Sequence, residues 1–545
     1  MAVFSGLFLA LTLSHWSLLR LPYYWDEAGY YIPAAWDFFR SGSLIPFSTL
    51  SNAHPPLPSL ILALAWKLFS YAPLTTRLTV VAVSALALTA VWRLALKLTG
   101  NHSVAFWTTA LTALYPVWFA QSTLAHADIF AAAGTLWGLL YALPEDSRKP
   151  WAAALCFSAA ALAKETAIVV PLTLAAMVKL EALWPLLPLA RLKASVPHPF
   201  RSFILERVES QDARSLPNRK RLLSTLCQAA WLASCLLPLA LWYVWHWHKT
   251  GFLFGNPEFL RYNAQANLEP ARFWAAFSHR LLHLTAHMNL FVPVLLALGS
   301  LLLPLHSVSA GEARPALTPL AVRRILLLLL ANAIFFSVLG GALLTRYLLP
   351  VFPLVLLLAV TALWRHTPWP RVLLALSATA FVAALFINPP YGFAPEDNLA
   401  YARLIRLHQA GIAQLNARYP GATALTAWPL SDALTRPELG YLQQPIDVYT
   451  VADFTAASLA PAAQEPGKYA AALVFSTKID PQSSFFTLGS QSRADDERFF
   501  GLHQDLPPAL IARTLGGTLV WQEEDQGLWV ALIRCNPTVE ATRNR

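Results

Sequence analysis

Runs of about 20 apolar residues recur through the first 390 positions of this chain, for example from Leu281 to Leu305 and from Ile325 to Leu344. Each is long enough to cross a hydrocarbon core of about 30 Å. Inside a bilayer the backbone must satisfy its own hydrogen bonds, and apolar runs without alternation do this as helices. Hydrophobic residues make up 56% of the sequence and charged residues 13%, a balance that belongs to the membrane and not to a soluble domain. Residues 391–545 contain no such run. Residues 1–390 hold 28 Lys and Arg against 14 Asp and Glu, and the remainder holds 12 against 16. The net charge of +10 therefore follows membrane topology and excludes a nucleic-acid partner.

Lys and Arg collect in cytoplasmic loops. The densest cluster, Lys179 to Arg221, sets the orientation, and Arg93 with Lys97, Arg148 with Lys149, Arg323 with Arg324, and Arg365 with Arg371 agree with it. Threading from these anchors puts Pro22 to Leu74, Gln121 to Ala127, His248 to Arg280, Thr345 to Leu349 and everything after Asn388 outside. The segment 151–180 must then be a hairpin turning at Lys164 and Glu165, and Leu57 to Phe69 a juxtamembrane helix. About 11 crossings result, beginning with a retained first helix from Ala2 to Leu19, which has no basic region before it. Cys156, Cys227 and Cys235 lie in apolar stretches and Cys535 in the tail, so no disulfide framework or metal-binding pair arises. The tail reads as a small α/β unit: strands at Thr423 to Trp428, Ile446 to Val451, Ala471 to Phe475, Thr518 to Gln522 and Gly527 to Ile533, and a helix at Leu399 to Asn416. The expected architecture is a mainly α, polytopic membrane domain over 1–390 and an extracytoplasmic α/β domain over 391–545.

Chemistry-bearing residues gather in the outer loops. Asp26 and Glu27 stand side by side directly after the first helix, and the same loop ends in His54-Pro55-Pro56-Leu57, whose prolines make a rigid elbow ahead of a helix. Asp128 heads an apolar run with no basic neighbour, as an N-cap or as an acid facing a cavity. Lys164 and Glu165 form a turn-closing ion pair or a substrate contact. Arg346 and Tyr347 sit between late helices, where a guanidinium grips phosphate through paired bonds or simply anchors to headgroups. His246, His248, His279, His283 and His287 form a stripe that is either a divalent-metal site or one face of an interfacial helix. The metal ligands stay unassigned.

An acidic pair after the first helix, an HPPL elbow and the Arg346-Tyr347-Leu348-Leu349-Pro350 element together resemble the protein O-mannosyltransferases and their bacterial relatives. His126-Ala127-Asp128 and Ala163-Lys164-Glu165 resemble the wider group that includes the aminoarabinose lipid A transferase. The resemblance covers roughly residues 20 to 365. It implies a GT-C fold and an inverting transfer of a hexose or pentose from a polyprenyl-phosphate donor to an acceptor hydroxyl at the outer face of a bacterial inner membrane. It makes Asp26 the general base, with Glu27 orienting the acceptor or assisting Asp26 and Asp128 as a further catalytic acid. His54, Lys164, Glu165, Arg346 and Tyr347 become substrate-binding residues. The acceptor class, whether glycan, lipid or protein, stays open, and no cofactor beyond a divalent metal is implied. The sequence departs from the group after Glu27 and before the elbow prolines, where the aminoarabinose enzyme carries basic residues. A polytopic transporter or flippase is the rival class, although no internal repeat supports it.

Overall fold

The computed structural model describes residues 1–49, 51, 53–144, 149–183, 219–255, 269–304, 315–339, 342–477, 479, 497–500 and 505–535. Most of the basic loop expected between Lys179 and Arg221, and the middle of the loop between His246 and His287, lie outside the described residues.

Helix boundaries follow local chemistry. Proline, whose missing N–H costs nothing in a first turn, opens Pro73–Thr99, Pro116–Gln121, Pro150–Ala163, Pro270–Thr285, Pro319–Val338 and Pro370–Phe386. Asn101 and Thr318 cap their helices by accepting from Val104 N at 3.0 Å and Ala321 N at 3.1 Å. A helix occupies Leu57–Phe69, the segment expected to lie beside the membrane.

The apolar runs break more often than their composition suggests. Three described helices are long and apolar enough to cross a membrane alone: Pro73–Thr99, Leu223–Thr250 and Pro319–Val338. The run expected to cross from Leu281 to Leu305 is instead a pair, Pro270–Asn289 and Phe291–Ser300, bent by 97°. Met288 and Asn289 cause the bend, with φ of 49° and 65° in the left-handed region. The run from Ile325 to Leu344 leaves the helix at Val338. Six more described apolar helices have 10–17 residues. The expected break at Lys164 is present: its backbone is extended (φ −151°, ψ 127°) between Pro150–Ala163 and the short Glu165–Ile168 turn.

The helices pack closely where side chains are small. Pro150–Ala163 lies along Ala127–Ala142, and a Cβ at Gly134 would come within 2.8 Å of Ala160 N. Ala127–Ala142 packs in turn on Pro73–Thr99, the centre of a continuous apolar core with Val80, Leu88, Trp118, Leu136 and Phe352 fully buried.

The tail forms one five-stranded sheet: β1 Ala424–Ala427, β2 Val448–Val451, β3 Ala471–Phe475, β4 Thr518–Asp525 and β5 Leu528–Arg534. The order is β2-β1-β3-β5-β4, with β1 parallel to β2 and β3 and the β4–β5 hairpin antiparallel to β3. β1 and β3 are buried along their whole length, as internal strands covered on both faces are, and the helix Ala400–Arg418 covers one face. All five expected strands and the helix are found. The sheet's core extends into the membrane part through Leu18, Leu21, Tyr24 and Phe119. Hydrogen bonds fasten the two: Tyr23 N donates to Leu439 O (3.2 Å), Tyr441 OH to Tyr23 O (3.1 Å) and Arg436 Nη2 to Ser48 O (2.6 Å).

Candidate active site

The loop after the first helix is held in an unusual shape. Trp25 has a φ of 47°, a strained value for a bulky residue, and Glu27–Tyr31 forms a π-turn. Trp428, at the end of β1, lies over this segment, with its ring 5.1 Å from Trp25 and 6.2 Å from Tyr30. Only glycine fits beneath it, because a Cβ on Gly29 would stand 2.9 Å from the Trp428 ring.

The two adjacent acids separate completely. Glu27 is fully buried and bonded on both oxygens to Arg77, which also donates to Pro22 O at 2.9 Å and Thr123 O at 2.6 Å. Tyr24 N and Ala125 N donate to the same carboxylate, at 3.0 and 2.5 Å. Of the two roles expected of Glu27, orienting the acceptor or assisting Asp26, this geometry favours the second: its oxygens are bonded inside the protein, where they tie three segments together.

Asp26 faces the other way and meets Arg346 Nη2. Arg346 is a hub. Its Nη1 donates to Glu396 and lies 3.2 Å from His126 Nδ1, which is also 2.9 Å from Gln121 Oε1, and its Nε lies 3.3 Å from Asp128 Oδ2 without hydrogen-bond alignment. The side chain is 2% exposed, as is usual only for a cation with several counter-charges, and three carboxylates keep it charged against the burial that would lower its pKa. Asp26 is 22% exposed, whereas Asp128 and Glu396 are closed off at 3% and 4%. The phosphate-gripping role expected of Arg346 meets a physical obstacle: a phosphate would have to displace one of these carboxylates.

The remaining sequence candidates surround the hub. Lys164 Nζ donates to Asp128 Oδ1 at 2.6 Å and sits 4.0 Å from the centre of the Tyr347 ring. His54 Nδ1 and Glu165 Oε2 are 3.1 Å apart. Tyr31 stacks on His54 with ring centres 5.7 Å apart, and 6.0 Å separates it from His126. Burial first, then the charges of Arg346 and Lys164, lower the His126 pKa well below its usual value, so its ring is neutral. All eight sequence-derived residues therefore lie in one region, with Arg346 at its centre, six of them around or beside it and Glu27 behind it.

Two pockets flank this centre. One is lined by Asp128, Lys164 and Tyr347 together with Ala131, Val170, Phe336 and Pro350, and holds about 310 Å³. The other, about 520 Å³, lies between Tyr30, Tyr31 and Phe38 on one side and His54, Pro55 and Trp242 on the other.

Three participants were missed from sequence. Glu396 comes from the tail, just beyond the last apolar run. Burial, opposed by Arg346 and reinforced by Asp26 and Asp397, pushes its carboxyl up to about 8. Arg77 and Arg280 are cations embedded in apolar stretches, and that placement was the available signal. Arg280 is fully buried, donates to Leu344 O (2.9 Å) and Phe336 O (3.2 Å), and faces Tyr347 at 5.7 Å. Its Nη2 has no partner among the described residues. The histidine stripe does not converge. His279 bonds Ala275 O, His283 stands beside Arg280, His287 pairs with Asp397 at 2.9 Å and His246 with Ser51 at 2.7 Å. Among the described residues no group of three or more His, Cys, Asp or Glu is arranged to hold a metal ion.

Comparison with known proteins gives two matches of different kinds. Residues 53–196 match the family model for dolichyl-phosphate-mannose-protein mannosyltransferase. The whole chain superimposes on ArnT from Cupriavidus metallidurans: 15% identity over 98% of each chain with a TM-score of 0.54 for the crystal structure bound to undecaprenyl phosphate, and 15% over 97% of each with 0.52 for the apo state. No curated protein sequence matches. The likeness to the mannosyltransferase family is carried by residues 53–196, and the overall fold is that of the two ArnT structures. At this identity the likeness to ArnT is one of fold.

Proposed function

We propose that the chain transfers a hexose or pentose, with inversion, from a polyprenyl-phosphate carrier to an acceptor hydroxyl at the outer face of a bacterial inner membrane. Residues 1–390 form the membrane catalytic domain, and 391–545 an outer domain that contributes Glu396 to the site. The loop charges support this orientation, with Lys and Arg concentrated in the loops read as cytoplasmic.

One observation carries the reading: of the three carboxylates on Arg346, Asp26 alone is partly open. A hydroxyl attacking the anomeric carbon must lose its proton, and an ionised carboxylate within reach accepts it, a contribution of about 10² to 10⁴ in rate. Arg346 holds Asp26 in place, and Glu27 with Arg77 fixes the segment from which Asp26 projects. The leaving polyprenyl phosphate needs positive charge. Lys164 and Arg280, both over the Tyr347 ring, are the further positive charges beside it, and Lys164 would exchange Asp128 for the phosphate. The pocket beside Lys164, with apolar walls, suits the first isoprenoid units. His54 and Glu165 hold the elbow against the turn at Lys164.

The test is transfer by purified chain in lipid nanodiscs, from polyprenyl-phosphate sugars to envelope glycans, lipids and proteins. Asp26→Asn should lower turnover by about 10² or more with donor affinity retained. Normal turnover by that variant, with Asp128→Asn inactive, would move the base to the second loop.

A further inference from the structure

The larger pocket has a composition that separates acceptor classes. Its described lining contains no Lys, Arg, Asp or Glu. A phosphate or carboxylate buried there would find no Lys or Arg among the described lining residues to offset its desolvation. Its walls are aromatic, from Tyr30, Tyr31, Phe38 and Trp242, and its polar groups are hydroxyls and the His54 imidazole. Aromatic faces carry negative potential and pack against the weakly positive C–H faces of a sugar ring, while hydroxyls and imidazole match its hydroxyl groups.

Tyr31 adds a more specific sign. It is 8% exposed and lines the pocket, and its hydroxyl is not among the closed-off, unpaired polar atoms of the described residues. A hydroxyl open to the pocket is available to a ligand there as donor and acceptor. Its ring stacks on His54 and stands close to His126, which touches Arg346. A ligand bonded to Tyr31 is thus one side chain from the hub that holds Asp26. The other pocket, with Lys164 and apolar walls, already suits the lipid phosphate.

We propose that this pocket binds the acceptor as an uncharged sugar ring, and that the Tyr31 hydroxyl recognises one of its hydroxyls. The word acceptor rests on the transferase reading above; the sugar site itself does not. The chain is therefore a glycan-extending or glycan-decorating transferase whose acceptor end is neutral.

The experiment is saturation-transfer NMR on the full chain in nanodiscs, with a panel of neutral methyl pyranosides and with hexose 6-phosphates as the charged counterparts. At least one neutral glycoside should bind, and the phosphorylated sugars more weakly. Tyr31→Phe, which removes one oxygen and keeps the ring, should weaken binding about 3- to 10-fold. Ala34→Phe, which fills the pocket from its own wall, should abolish it. In the transfer assay Tyr31→Phe should raise KM for the acceptor and leave KM for the donor unchanged. Phosphorylated sugars binding as well as neutral ones, or unchanged binding by Tyr31→Phe, would overturn the proposal. A KM change confined to the donor would overturn the acceptor assignment and give the pocket to the donor's sugar. Tyr31-dependent binding without any transfer would refute the transferase reading and retain the sugar site.

Discussion

Replacing Glu27 by Gln tests whether the second acid of the pair is chemical or architectural. The carboxylate is 0% exposed and Arg77 1%, so the substitution leaves a buried guanidinium without its counter-charge. Breaking one side of a buried pair typically costs about 3–5 kcal/mol, because the desolvated charge that remains is uncompensated. Here Arg77 keeps its carbonyl partners Thr123 and Pro22, which argues for the lower end, about 3 kcal/mol. Tyr24 N and Ala125 N retain a carbonyl oxygen to donate to, one at most with good geometry. The assay is thermal unfolding in nanodiscs, read as a midpoint under a fixed scan rate, because unfolding of such a chain is operationally kinetic. Glu27→Gln should unfold markedly earlier than the parent. Combining it with Arg77→Met should recover part of the loss, a coupling that independent sites would not show. The reasoning is refuted by a Glu27→Gln variant of parental stability that cannot transfer sugar, since that would make Glu27 a direct participant.

Arg346→Lys keeps the charge but cannot meet Asp26, Asp128 and Glu396 at once, so transfer should fall at least about tenfold in folded protein; a fully active variant would show that the hub is not needed. Gly29→Ala should cost about 1–3 kcal/mol, because the new methyl meets the Trp428 ring, and Trp428→Ala should relieve it; an unchanged midpoint for the single variant would contradict the fit. Glu396 titrates at about 8 in the folded chain against an ordinary value of 4.5, so the native state binds its proton more tightly than the unfolded state. Its contribution is therefore complete below pH ~4.5 and is lost as pH rises to ~8. Glu396→Gln should flatten that part of the stability profile, measured as midpoint against pH; an identical slope in both proteins would exclude Glu396 as its source.

The tail was the most legible part of the fold. Its five strands and one long helix follow from short β-rich runs and a helical period, signals that depend on a few neighbouring residues. The membrane helices were less so. Apolar composition marks where helix is possible but not where it bends: nothing in Thr285 to Leu290 announces a left-handed pair, and the 97° bend there depends on packing around His287 and Asp397. The outer-loop acids and the elbow were recognisable because acids and rigid prolines are out of place beside membrane helices.

By itself the sequence determined that this chain is a bundle of apolar helices with a small α/β tail, and that Asp26, His54, Asp128, Lys164 and Arg346 are the residues to watch. These are properties of composition and order along the chain. What the tertiary structure decided is which charge meets which. Asp26 and Glu27 are chain neighbours with opposite surroundings, one shared with Arg346 from 320 residues away and the other locked to Arg77. Glu396 joins the same guanidinium from a segment that sequence reading assigned to a separate domain. In a low-dielectric interior each buried charge must find a partner, and that partner is set by three-dimensional closure and not by distance along the chain.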